Sequence, residues 1–182
     1  DHRRWRLQGE AGWRPEAWGA FRLGYEYMWE EFDREFNGSV DFHDGNYAGP
    51  YVGIDLDPSE DWAIDFEYHH MRSSDPFTEI SPNDRSAFDL RARWTGVEDL
   101  IVTGHLTERL VTNPRHNTDI DSWSAGLGLF WTPDDDWSIQ ARYDYMKYDS
   151  TTDVIEYIGG IPVNTSADYD GTTNGVTLTV TY

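Results

Sequence analysis

The strongest constraint on this chain is a two-residue rhythm of apolar and polar side chains that returns from one end to the other, with no stretch of helical periodicity to compete with it. Successive side chains of a strand point to opposite faces, so each alternating stretch reads as a strand with one apolar and one polar side. From Trp62, one face carries Trp62, Ile64, Phe66 and Tyr68, and the other Ala63, Asp65, Glu67 and His69. From Trp137, one face carries Trp137, Ile139, Ala141, Tyr143 and Tyr145, against Ser138, Gln140, Arg142 and Asp144. Residues 87–94 set Phe88, Leu90, Ala92 and Trp94 against Asp89, Arg91 and Arg93. Residues 17–29 set Phe21, Leu23, Tyr25, Tyr27 and Trp29 against Arg22, Gly24, Glu26 and Met28. Five fainter segments keep the same rhythm: 5–13 (Trp5, Leu7, Gly9, Ala11, Trp13), 48–56 (Val52, Ile54, Leu56), 100–110 (Leu100, Val102, Leu106), 123–131 (Trp123, Ala125, Leu127, Leu129, Trp131) and 176–182. The total is nine strands. Each is roughly 9–11 residues long, the length a tilted strand needs to cross a bilayer.

The connections alternate in length. After the first, third, fifth and seventh strands come tight polar turns at 14–16, 57–61, 96–99 and 133–136. After the second, fourth, sixth and eighth the sequence predicts loops of about 11–24 residues, rich in Asp, Asn, Gly, Ser and Thr. Short turns at one end and long loops at the other is the pattern of an outer-membrane barrel, with the turns on the periplasmic side. Within the longest loop, residues 154–163 read as a short hairpin with a Gly159–Gly160 turn standing above the membrane.

Composition enters through the aromatics. Nine Trp, eleven Tyr and eight Phe are many for a chain that is only 38% apolar. Six of the tryptophans, Trp13, Trp18, Trp62, Trp94, Trp131 and Trp137, lie within a few residues of a short turn. An indole prefers the headgroup level, where its ring is apolar and its N–H stays wet, so these six are expected to form the periplasmic girdle. Trp5, Trp29, Tyr47, Tyr68, Trp123 and Tyr148 would form the outer one. The competing architecture is a soluble β-sandwich. It would have to pack about twenty large aromatics into a shared core ~10 Å thick, which is too many.

No run approaches the ~18 apolar residues of a spanning helix, and hydropathy averages are blind to strands that alternate lipid-facing and lumen-facing residues. The formal net charge of −20 argues against nucleic acid as a partner. Cysteine is absent, so there is neither a disulfide framework nor a Cys-based metal site. Residues 1–5 lack the apolar segment of a signal peptide, so either a leader has been removed or the chain starts partway through something longer.

The last eight residues, 175–182, place Val176, Leu178, Val180 and Tyr182 in strict alternation. This ending resembles the C-terminal insertion signal of bacterial outer-membrane β-barrel proteins, which the barrel-assembly machinery reads as a final strand closing on an aromatic. The resemblance is architectural, extends over the whole chain and fixes no subfamily. It implies a porin-like, antiparallel up-and-down transmembrane β-barrel in the bacterial outer membrane, forming one domain over residues 1–182. Its partners would be outer-membrane lipid, lipopolysaccharide and the assembly machinery, with a periplasmic or extracellular partner protein also open. Single-chain bacterial barrels have an even number of strands. Nine strands therefore lead us to expect either at least one more N-terminal strand or a larger barrel of which this is the C-terminal part. The hairpin running from Trp131 to Trp137, followed by Ala141, Arg142, Tyr143, Asp144 and Tyr145, is similar to the large decahaem-associated porins that sheathe a multihaem cytochrome. The chain has no Cys-x-x-Cys-His and so carries no c-type haem itself.

The polar faces hold the candidate functional residues. The inward set includes Arg6, Glu10, Arg22, Glu26, Glu30, Asp55, Asp65, Glu67, Asp89, Arg91, Arg93, Arg109, Arg142 and Asp144, which is eight acids and six arginines. His69 and His105 also face inward and His70 outward. We expect Arg22, Glu26, Asp65, Glu67, His69, Asp89, Arg91, Arg93, His105, Arg109, Arg142 and Asp144 to line the lumen. Two uses compete for them: cross-strand ion pairs that plug a narrow barrel, or the wall of an aqueous lumen with acidic loops enriching cations at its mouth. Plugging is favoured for a complete nine- or ten-stranded barrel, and an open wall for part of a larger one. Ser124, Gly126 and Gly128 leave one inward face nearly bare, either to relieve crowding or to admit a plug, folded-in loop or partner. No His has a partner at metal-ligand spacing, the acidic stretches 41–46 and 119–121 do not match the EF-hand pattern, and no nucleophile motif occurs. The sequence therefore predicts no enzyme, no cofactor and no metal. It points to a passive pore that prefers cations if open, or else a structural sheath or anchor for a partner such as a multihaem cytochrome.

Overall fold

The computed structural model describes residues 2–36, 39–75, 83–113, 117–134, 136–158 and 161–181, with side chains over 3–31, 45–73, 83–113, 117–134, 136–153 and 165–181. Its nine strands are β1 (His2–Glu16), β2 (Gly19–Phe36), β3 (Ser39–Ser59), β4 (Trp62–Asp75), β5 (Asp84–Val97), β6 (Leu100–Asn113), β7 (Thr118–Asp134), β8 (Trp137–Ile158) and β9 (Ile161–Thr181). They form one antiparallel sheet in chain order, β1 to β9, with every strand bonded to its neighbours in sequence. Among the described residues β1 and β9 do not pair with one another, so the sheet has two free edges.

The four tight turns share one construction. In each, two residues of the incoming strand oppose a single residue of the outgoing one, which is a β-bulge. The register slips between Trp13 and Glu16, Leu56 and Ser59, Trp94 and Val97, and Trp131 and Asp134. The second bulge position is Pro15, Pro58, Gly96 or Pro133. A bulge leaves that position outside the ladder, so a proline without an N–H sits there at no cost in hydrogen bonds. The first bulge residue turns its N–H to the neighbouring turn: Asp57 to the Trp18 carbonyl at 2.7 Å, Thr95 to Asp61 at 2.9 Å and Thr132 to Asp99 at 2.9 Å. The turns are thereby laced into a continuous rim. Asp99, with φ of 62°, adopts the left-handed conformation that closes the β5–β6 turn.

The other end departs from expectation. Strands run through most of the sequence expected to be long loops. β2 continues to Phe36 and β3 starts at Ser39, and the pairing of β8 with β9 is unbroken from Ser138 with Thr181 up to Ile158 with Ile161. The hairpin of residues 154–163 is therefore not a separate element but the end of a ribbon continuous with β8 and β9; its Gly159–Gly160 turn lies outside the described residues. β7 stops pairing with β8 at Thr151, so residues 152–158 and their partners project past the wall by roughly 23 Å at ~3.3 Å per residue. The physical reason is that a backbone ladder forms without any apolar alternation, so these residues carry no strand rhythm in the sequence.

No second layer covers the apolar side chains. Leu7, Leu23, Leu127 and Val176 are each more than 60% exposed, and they share one face of the sheet with Tyr25, Tyr68, Leu129 and Trp131. The buried apolar residues are Met28, Tyr47 and Tyr51, and all three lie on the opposite face of β2 and β3. This arrangement excludes a sandwich, in which the apolar faces would pack inward.

Candidate functional site: the inner wall

On β1–β4 the polar face is a packed network. Arg22 of β2 directs Nε and Nη2 onto the two oxygens of Asp55 at 3.1 and 3.0 Å, Nη2 also to Asp65 at 3.2 Å, and Nη1 to Glu67 at 3.0 Å. The planar fork of a guanidinium suits this, since several of its donors can be used at once on two strands. Reaching β4 from β2 requires crossing β3, and Gly53 makes the crossing possible. A Cβ there would lie 2.8 Å from the Arg22 guanidinium carbon. Tyr51 crosses in the other direction. Its hydroxyl donates to Glu10 on β1, over Gly24, where a Cβ would come within 2.2 Å of the ring.

The Tyr51 ring stacks on His69 at 5.3 Å, and His69 Nδ1 lies 3.6 Å from the carboxylate of Glu26. Glu26 is buried and receives Arg6 through Nη2 at 2.7 Å and Nε at 2.6 Å. Arg4 pairs with Glu30 above it. Arg85 of β5 donates to the Tyr47 hydroxyl at 3.0 Å with its guanidinium 4.1 Å from the ring centre.

On β5–β9 the same face is sparser. Thr107 donates to Asp89 at 2.8 Å, and Arg142 holds Asp144 through Nη2 at 2.9 Å and Nε at 2.6 Å. His105 approaches Asp144 at 3.8 Å across β7, over Gly126, where a Cβ would lie 2.3 Å from the imidazole. Gly128 likewise accommodates the Thr103 hydroxyl, 2.5 Å from its would-be Cβ. These two glycines relieve crowding beneath side chains of neighbouring strands. Arg91, Arg93 and Arg109 are exposed and face the interior, and among the described residues none has a carboxylate within 4.0 Å.

The register puts all twelve residues expected to line the lumen, Arg22, Glu26, Asp65, Glu67, His69, Asp89, Arg91, Arg93, His105, Arg109, Arg142 and Asp144, on one face. It does not bring them into one site. Arg22, Asp65, Glu67, His69 and Glu26 form one network, in which His69 lies 3.7 Å from Glu67 and 3.6 Å from Glu26, and His105, Arg142 and Asp144 form another. Trp13, Trp62, Trp94, Trp131 and Trp137 project outward beside the tight turns, with Trp62 and Trp94 paired at 6.3 Å, while Trp18 sits within its turn. Val176, Leu178 and Val180 project outward on β9, and Tyr182 lies outside the described residues.

Two members of the expected outer girdle are misplaced. Tyr47 is 1% exposed on the inner face, and Tyr148 shares that face with Ser122. Sequence reasoning also passed over Tyr51. The available signal was Tyr47, Gly49, Tyr51 and Gly53 at successive inward positions, where Gly53 makes room for Arg22 and Gly49 for the backbone of β4. Among the described residues no group of three His, Cys, Asp or Glu could hold a metal.

The Autotransporter β-domain family model matches residues 103–182, which is less than half of the chain. No curated protein sequence matches. The ferric yersiniabactin uptake receptor FyuA from Yersinia pestis has a similar fold, with a TM-score of 0.70 at 11% identity over 98% of this chain and 35% of its own. The outer membrane transporter YddB from Escherichia coli is similar with a TM-score of 0.55 at 10% identity over 99% of this chain and 31% of its own. The chain thus spans about a third of the length of either structure. With exposed apolar side chains along one face of the sheet and the fold shared with these structures, this chain has the fold of a transmembrane β-barrel wall.

Proposed function

We propose that the nine strands form a sector of the wall of a passive pore that favours cations. The observation that carries this reading is the open sheet with a hydrated, charged inner face. Nine strands closed on themselves would make a narrow barrel filled by side chains. Here β1 and β9 stay apart, and hydrocarbon offers nothing to bond with the free backbone groups of those edges. Further strands beyond this sheet would satisfy them and widen the lumen, in keeping with the share of larger barrels that the chain matches.

Cation preference rests on the rims. The four tight turns, at 14–16, 57–61, 96–99 and 133–136, carry nine carboxylates and one arginine. A ring of one sign at the mouth raises the local concentration of the opposite ion. The final strand would also supply the assembly machinery with its outward Val176, Leu178 and Val180.

Planar-bilayer recording of the full protein in a KCl gradient tests the reading. Discrete conductance steps with a reversal potential displaced toward that of potassium are expected. Absence of steps would remove the pore, and a chloride-directed reversal potential would remove the selectivity.

A further inference from the structure

We propose that the inner wall of β5–β7 binds an oxyanion, the phosphate or carboxylate group of a solute within the lumen. The case begins with a contrast among the inward arginines. Arg4, Arg6, Arg22 and Arg142 are each held by a carboxylate, and Arg85 by Tyr47. Arg91 and Arg93, at successive inward positions of β5, are not, and neither is Arg109, which lies farther along the wall on β6, opposite Ala87. A confined interior penalises uncompensated charge, so two adjacent guanidinium groups draw in a counter-anion unless the chain supplies one. Asp55 and Asp65, the latter opposite Arg91 in register, are turned to Arg22 at 3.0 and 3.2 Å.

The shape of the wall fits the chemistry. Arg91, Arg93, Thr103 and His105 line a depression of about 420 Å³ shared with Asp55, Asp57 and Asp65. A second depression of about 170 Å³, joined to the first at His105, presents Arg109 with Thr107, Ser122 and Ser124 and no acid. Side chains two apart on a strand are separated by roughly 6.6 Å along it, close enough for two forks to share the oxygens of one phosphate. Thr103, opposite Arg93 in register, adds a hydroxyl donor. The acidic mouths gather cations while this mid-wall patch selects an anionic group, so a solute bearing a phosphate or carboxylate would pause here.

The site requires an accessible inner face, as the pore reading does, but not that the barrel conducts. Calorimetric titration of the full protein in detergent with inorganic phosphate at low salt therefore tests it independently of conductance. Saturable binding is expected, weakened about tenfold or more in Arg91→Gln/Arg93→Gln, the loss of two charge-assisted hydrogen-bonding groups. Arg142→Gln, whose arginine is occupied by Asp144, is expected to leave phosphate affinity within about twofold. Absence of saturable binding, no change in the double variant, or equal weakening by Arg142→Gln would each overturn the proposal. If the double variant does not fold, Arg91→Lys/Arg93→Lys replaces it. That variant keeps the charge but loses the fork, and undiminished affinity there would overturn the two-pronged geometry.

Discussion

The two halves of the inner wall are built from the same strand geometry and differ in what crosses it. On β1–β4, long side chains pass over glycines to reach a second strand: Arg22 over Gly53, Tyr51 over Gly24. The result buries Glu26, Tyr47 and Tyr51 without any second layer of protein. On β5–β9 one such crossing links side chains, His105 to Asp144 over Gly126, and the four inward positions Thr173, Gly175, Thr177 and Thr179 of β9 are short. Burial in a single curved sheet is thus decided by the pairing of a glycine with a reach of two strands, not by hydrophobicity. The first half is a stiff, charge-compensated panel and the second an open one.

Removing Arg22 breaks this comparison most severely. Arg22→Ala would leave Asp55, Asp65 and Glu67 together without their shared cation. Loss of one partner from such a cluster costs about 3–5 kcal/mol when buried, so about 3 kcal/mol is expected for this water-accessible face. Arg91→Ala strands no carboxylate and is expected to cost less than about 0.5 kcal/mol. Urea unfolding followed by tryptophan fluorescence measures both. Equal losses would show that the two panels do not differ in charge compensation.

The outward faces should not share the asymmetry. Val52 on β3 and Leu127 on β7 both lie at the middle of the apolar belt. An arginine at either is expected to cost about 2–4 kcal/mol in a bilayer, the price of charge near the midplane. Refolding into vesicles over a denaturant series would read it. A large cost at one position and none at the other would mean that only part of the sheet faces lipid.

How much of this was legible in the sequence follows from which solvent each face meets. Where one face meets hydrocarbon and the other water, alternation is strong, and β2, β4, β5 and β8 stand out through residues such as Trp62, Ile64, Phe66 and Tyr68. The rhythm vanishes in the sequence at residues 33–36 and 152–158 although the ladder continues through them. The tight turns were readable because a bulge tolerates proline, and Pro15, Pro58 and Pro133 mark three of the four. The inner wall was readable by face but not by partner. Alternation puts Arg22 and Arg91 on the same side, and only the register with Gly53 behind Arg22 separates a clamped arginine from an open one. Tyr47 was misread because a tyrosine near a strand end suits a girdle and an interior equally well, and Gly24 was not weighed as the space for Tyr51.

Glycine substitutions sharpen the comparison at smaller amplitude. Gly24→Ala would drive a methyl into the Tyr51 ring, 2.2 Å away, and force that ring off Glu10 and His69. Overpacking of this kind is expected to cost about 1–3 kcal/mol. Gly175→Ala meets nothing within 4 Å and is expected to be neutral or slightly stabilising, since alanine lowers the entropy of the unfolded chain. Equilibrium unfolding of the pair decides it. A Gly24→Ala protein as stable as the parent would mean that Tyr51 does not occupy that niche.

The smallest effect concerns the seam between the panels. Tyr47 reaches from β3 to Arg85 on β5, so on the inner face it ties the packed half to the open one. Tyr47→Phe removes the hydroxyl acceptor and keeps the ring beneath the guanidinium, 4.1 Å from its centre. The expected loss is about 1 kcal/mol, that of one hydrogen bond to a charged donor offset by the retained cation–π attraction. Tyr148→Phe on β8 removes no side-chain hydrogen bond present among the described residues and is expected to change stability by less than about 0.5 kcal/mol. Chemical denaturation resolves the two if the midpoints differ while the slopes agree, because equal slopes mean that the same surface is exposed on unfolding. A Tyr47→Phe midpoint indistinguishable from that of Tyr148→Phe would place Arg85 with the open arginines of β5 and move the boundary between the panels from β5 to β4.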